Sequence, residues 1–124
     1  MSDIRTVLIV EDDDDLQQLL QFTFESNGFD VVVRNDGAEA LEYLETADSL
    51  PDVIILDLLM PDVGGLDFLR RRSDFDRLAP IPTVMLSGVD DEERLAEAYE
   101  LGVDDYVTKP FSPSELITRV THMD

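Results

Sequence analysis

The chain has 124 residues, 44% of them hydrophobic, which suits one domain with one core and excludes two enzyme-sized domains. Nine basic against 29 acidic residues give a formal net charge of −20, so direct nucleic-acid binding by this domain is excluded and an anionic membrane would repel it. Cysteine is absent, which removes disulfides, thiolate metal sites and a cysteine nucleophile.

Short apolar runs alternate with helical patterns along the chain. Thr6–Val10 reads as a buried strand. From Asp14 to Asn27, Leu16, Leu19, Leu20 and Phe24 recur at helical period, and Gly28 stands where a helix ends. Asp30–Arg34 is a second strand, and Asp36-Gly37 turns into a helix with Ala38, Leu41 and Leu44 on one face. Asp52–Asp57 is a third strand, and Gly64-Gly65 opens a helix around Leu66 and Leu69. Ile81–Ser87 is a fourth strand, followed by a helix over Asp90–Leu101 that Gly102 ends. Asp105–Lys109 is a short fifth strand, and a last helix starts at Ser112 with Pro113 in its first turn. Continuously apolar strands separated by helices predict a parallel sheet covered on both faces, a doubly wound three-layer α/β domain of (βα)5 order. Val7–Val10 and Val53–Leu56 are the longest apolar runs, far too short to span a bilayer. With no signal peptide read ahead of them, a cytoplasmic domain is expected.

Ligands of such folds sit beyond the carboxyl ends of the strands. Strand 1 ends in Glu11 and the run Asp12–Asp15, strand 3 in Asp57, strand 4 in Ser87-Gly88 and strand 5 in Lys109-Pro110. Two carboxylates 4 Å apart repel by about 4 kcal/mol at an effective dielectric of 20. Three together must protonate, separate or hold a cation. Glu11 and Asp12 are read as ligands of Mg²⁺, or of Mn²⁺, which favour oxygen donors. Asp14 and Asp15 are read as acids in the first turn of a helix. A carboxylate beside such a cation can attack phosphorus and form an aspartyl phosphate. Lys109, the only lysine in the chain, would supply a positive charge to one phosphoryl oxygen, and Ser87 and the amides of Leu59 and Gly88 would donate hydrogen bonds.

These residues resemble the receiver domains of two-component response regulators. The matching pieces are Leu8–Asp12, Ile55–Pro61, Gly64–Leu66, Met85–Ser87 and Asp104–Phe111, in order along essentially the whole chain. The resemblance implies a single receiver domain over 1–124 with a flavodoxin-like strand order 2-1-3-4-5. It implies that Asp57 accepts a phosphoryl group from a histidine kinase or phosphotransfer protein. Asp12, Asp57 and the backbone carbonyl of Leu59 would ligate Mg²⁺, with Glu11 acting through water. Ser87 would be the switch hydroxyl, Lys109 would contact the phosphoryl group, and Tyr106 would swing inward when Ser87 is drawn to the phosphate. Lys109-Pro110 resembles the family's cis peptide. Such a domain is not an enzyme, since it catalyses only its own phosphorylation and dephosphorylation. Leu59 and Val89 occupy positions that in the family influence water attack. Both are apolar, which predicts a long-lived phosphoryl state. The stretches around Asp104–Tyr106 and Phe111–Glu115 resemble winged-helix regulators, which pair through the helix 4–strand 5–helix 5 face. Asp105 and Arg119 are candidates for one ion pair of such a homodimer, whereas Leu95 and Thr121 stand where that subfamily carries basic residues.

Other readings remain at this point. A phosphorylation-independent interaction domain would fail to accept phosphate. A Mg-dependent aspartyl-phosphate phosphatase wants an acid at Leu59. A flavin binder wants a phosphate loop where Glu11–Asp15 would repel one. Arg70-Arg71-Arg72 reads as the solvated end of helix 3 and His122 as an exposed residue of the last helix. The acidity fits either an ordinary acidic protein kept in solution by self-repulsion or a high-salt cytoplasm in which ions screen that repulsion.

Overall fold

A computed structural model describes residues 4–60, 63–88 and 92–123. The elements are β1 (Thr6–Val10), α1 (Asp14–Ser26), β2 (Asp30–Arg34), α2 (Gly37–Thr46), β3 (Val53–Asp57), α3 (Gly65–Arg72), β4 (Thr83–Ser87), α4 (Glu92–Glu100), β5 (Asp105–Thr108) and α5 (Pro113–Thr121). All strand pairs are parallel, in the order β2-β1-β3-β4-β5. The doubly wound three-layer architecture is as expected.

Alternation along the central strands divides the core between the two faces of the sheet. Leu8, Val10, Ile54, Leu56 and Met85 pack with Ala40, Leu41 and Leu44 of α2, Phe68 and Leu69 of α3 and Ala98 of α4. Val7, Ile9, Val53, Ile55, Val84, Leu86 and Val107 pack with Leu20 and Phe24 of α1 and Leu116 and Val120 of α5. This two-sided burial explains why the strands lack polar positions until their ends.

Element boundaries differ from the sequence reading by one or two residues, for local reasons. β4 begins at Thr83 rather than Ile81, because the Ile81 amide donates to the Leu78 carbonyl in a turn and Pro82 has no N–H to give. Asp52 precedes β3, and its carboxylate accepts from the amides of Arg5 and Thr6 instead. α1 is capped by Asp13, which accepts from the Leu16 amide, with Asp14 and Asp15 in the first turn. Asp36 and Ser112 cap α2 and α5 in the same way. The expected start of helix 4 at Asp90, and the positions of Pro61 and Val89, lie outside the described residues.

The reading of Arg70-Arg71-Arg72 as a solvated end needs correction. Arg70 and Arg71 are exposed, but Arg72 is 1% exposed. Arg72 lies four residues from Phe68 and three from Leu69, so it shares their inward face. Its guanidinium donates to the Ile81 carbonyl at 3.0 Å and to the Thr83 hydroxyl. Burial lowers its pKa, opposed by the charge of Asp104. That carboxylate also accepts from the Thr83 amide at 2.8 Å. Arg72 thus ties the end of α3 to the start of β4.

Candidate functional site

The polar strand ends converge at the carboxyl edge of the sheet. Val10, Leu56 and Met85 carry β1, β3 and β4 towards that edge in register, with Asp57 beside Leu86 one step further on. Glu11 is 1% exposed and Asp57 4% exposed, while Asp12 is exposed. One ligand oxygen from each of Glu11, Asp12 and Asp57 lies within 4.8 Å of the others. Lys109 Nζ stands 3.1 Å from Asp57 Oδ1 and 3.7 Å from Glu11 Oε2. It is placed by its amide, which donates to the Ser87 carbonyl at 2.7 Å, and the Lys109-Pro110 peptide is cis.

Backbone bonds fix the loops around this group. The Glu11 amide donates to the Arg34 carbonyl at 3.1 Å, and the Leu58 amide to the Leu86 carbonyl at 2.9 Å. The Gln17 side chain donates to the Glu11 carbonyl and to Asn35 Oδ1. Sequence reasoning missed this tie, because nothing marks one glutamine of a helix as facing back. α3 presses on the loop after β3: a Cβ at Gly65 would meet the Asp57 carbonyl oxygen at 2.7 Å and the Leu58 Cα at 2.9 Å. Only glycine fits there. The Leu59 amide lies 3.4 Å from Asp57 Oδ1, and the Leu59 side chain is 57% exposed.

Electrostatics favour a cation among these carboxylates. Burial, then the neighbouring Asp57 carboxylate, push Glu11 up to about 8, opposed by Lys109 and the Asp13 amide. Glu11 Oε2 is buried and has no hydrogen-bond partner among the described residues. Three carboxyl groups face one ammonium, and the donors are all hard oxygens, which fits Mg²⁺ and admits Mn²⁺.

Ser87 lies at the end of β4, 1% exposed, and its hydroxyl likewise has no hydrogen-bond partner among the described residues. Tyr106 is half-buried on β5, opposite Met85. Its ring meets the ring of Tyr99, on α4, edge to face at a centroid distance of 6.0 Å. Sequence reasoning did not single out Tyr99. Its spacing from Leu95 and Ala98 was the available signal. Asp105 and Arg119 pair within the chain, with Arg119 Nη1 at 2.9 and 2.8 Å from the two carboxylate oxygens. His122 is exposed just beyond α5, as expected. No helix among the described residues is long and apolar enough to cross a membrane.

The family model "Response regulator receiver domain" matches residues 7–121. The chain is 39% identical over 116 residues to the alkaline phosphatase synthesis transcriptional regulatory protein PhoP of Bacillus subtilis, covering 94% of this chain and 47% of that protein. It is 37% identical over 116 residues to the phosphate regulon transcriptional regulatory protein PhoB of Escherichia coli, covering 94% and 50%. It thus spans about half the length of these relatives. The crystal structure of a putative response regulator from Chloroflexus aurantiacus superposes with a TM-score of 0.86 at 33% identity, covering 95% of each chain. With the strand order, the acidic edge and these likenesses in agreement, the chain belongs to the response regulator receiver domains of two-component signalling, a family of signalling domains rather than conventional enzymes.

Proposed function

We propose that Asp57 accepts a phosphoryl group from a phosphohistidine of a histidine kinase or phosphotransfer protein. One observation carries this reading: a buried carboxylate at the end of β3 has an ammonium 3.1 Å away and two further carboxylates within ligand distance. An oxygen of Asp57 attacks phosphorus and the P–N bond breaks. The electron pair returns to the imidazole, which takes a proton from solvent. Lys109 neutralises one phosphoryl oxygen, and the Ser87 hydroxyl donates to another. Glu11, Asp12, Asp57 and the Leu59 carbonyl would hold Mg²⁺, with Glu11 acting through water. When bound, the cation offsets the negative charge gathered on the phosphoryl and carboxylate oxygens. The new bond from Ser87 draws the loop after β4 inward and opens room for Tyr106, so the α4–β5–α5 face changes shape. Pairing of two copies belongs on that face. The Asp105–Arg119 pair is already closed within one chain, so a homodimer there would have to reopen it or use other contacts.

The test is the intact mass after incubation with a small phosphodonor and Mg²⁺. One phosphoryl adduct, lost on hydroxylamine treatment and absent in Asp57→Asn, is expected. No adduct in the folded, metal-loaded protein, at low and high KCl, would leave a phosphorylation-independent interaction domain. Sustained release of phosphate from a phosphate ester would instead indicate the phosphatase. The adduct is expected to persist, because the exposed side chain of Leu59 cannot orient a water. Rapid spontaneous loss would contradict that.

A further inference from the structure

The Tyr106 side chain packs partly against the core and is also met by a ring from α4. In the parallel β4–β5 ladder, Met85 pairs with Tyr106 and Ser87 with Thr108. Paired residues point to the same side, so Tyr106 and Ser87 share one face of the sheet, two positions apart. Ser87 Oγ has no hydrogen-bond partner among the described residues, so it makes no bond to the Tyr106 hydroxyl. The Tyr106 backbone is held firmly, since its amide donates to Asp105 Oδ1 at 2.8 Å and Asp105 is gripped by Arg119. Its ring lies only partly in the core and meets Tyr99 at an interplanar angle of 79°.

Tyr99 is well placed to act on that ring. It stands in the last turn of α4, whose end is anchored by the buried Ala98 and by the bonds from Gly102 N to Tyr99 O and from Val103 N to Ala98 O. Its own side chain is 44% exposed, so the ring is not needed to fill the core.

We propose that Tyr99 is a positioning residue that holds the Tyr106 ring at the α4–β5 surface and thereby sets the resting balance of the switch. This rests on the receiver reading of Asp57, Ser87 and Tyr106. The edge contact belongs to the half-buried position that the Tyr106 ring takes here, so it favours that state and opposes one in which the ring moves away from Tyr99. Aromatic pairs of this geometry shift such a balance by roughly two- to tenfold. Phosphorylation must overcome that bias, and loss of the Tyr99 ring relieves it.

The experiment is a calorimetric titration of the full chain with beryllium trifluoride and Mg²⁺, a stable mimic of the phosphoryl group. It compares wild type, Tyr99→Ala, Tyr99→Phe, Tyr106→Ala and the double variant Tyr99→Ala/Tyr106→Ala. Tyr99→Ala should bind roughly two- to tenfold more tightly than wild type. Tyr99→Phe, which keeps the ring, should match wild type. In the Tyr106→Ala background the Tyr99 substitution should have no effect, because the partner ring is gone. Equal effects in both backgrounds, no effect in either, or a Phe variant that behaves like Ala would overturn the role of Tyr99 alone. Failure of the wild type to bind through Asp57, judged against Asp57→Asn, would overturn the receiver reading and this inference with it.

Discussion

One strand carries a buried hydroxyl at each end, and the two are treated oppositely. At the amino end of β4, Thr83 accepts from Arg72 and donates to the Ile81 carbonyl, while its amide is taken by Asp104. At the carboxyl end, Ser87 Oγ has no hydrogen-bond partner among the described residues, and neither has Glu11 Oε2. A buried polar group without a partner costs about 1–3 kcal/mol. At the amino edge the Thr83 hydroxyl and Arg72 Nη1 hold the fold, although Arg72 Nε has no partner among the described residues. At the carboxyl edge the unpaired oxygens belong to the proposed ligand site.

The largest expected effect tests that proposed site. Glu11 has its folded pKa raised from 4.5 to about 8 by burial and by Asp57. Between those values the folded protein keeps a proton that the unfolded chain has lost. The contribution of Glu11 to the stability of the metal-free protein is therefore full below pH 4.5 and is lost as pH rises towards 8, a loss on the order of 5 kcal/mol. Urea midpoints across this range should show the fall, and Mg²⁺ or Glu11→Gln should flatten it. A flat metal-free profile would mean that the carboxyl edge carries no such strain.

Next comes the other edge. Arg72→Ala removes two hydrogen bonds from a charged donor and leaves a buried gap beside Ile81. It should cost about 3 kcal/mol in urea denaturation. The loss should be the same with and without Mg²⁺, since this edge is remote from the acids. A metal-dependent loss would break the division between the two ends.

The smallest effects come from the hydroxyls themselves. Thr83→Val takes an acceptor from Arg72 and should cost about 1–2 kcal/mol. Ser87→Ala should leave stability within about 1 kcal/mol of wild type, yet remove the shift of the Tyr106 ring resonances on phosphorylation, followed by aromatic NMR. Equal costs for the two substitutions would show that Ser87 is structurally engaged after all.

The fold was legible because its strands are apolar on both sides and end abruptly in charge. Val53–Leu56 followed by Asp57, and Val7–Val10 followed by Glu11, announce both a buried parallel sheet and its functional edge. The convergence of Glu11, Asp12, Asp57, Ser87 and Lys109 followed from that topology. What escaped was polar structure inside the molecule. Arg72 sits in a run of three arginines that reads as solvent, and only its spacing from Phe68 and Leu69 hints otherwise. The Tyr99–Tyr106 contact joins two elements whose relative rotation no local pattern encodes.

Lys109 is the chain's only lysine, and its side chain is 34% exposed. Side-chain amine chemistry on this protein is therefore site-directed without any engineering. An isotope-labelled methyl group on that nitrogen would give one lysine signal, seated 3.1 Å from Asp57, that reports cation and phosphoryl occupancy directly. The same fact warns against attaching the protein to a surface or a dye through its lysine, because the handle is part of the site.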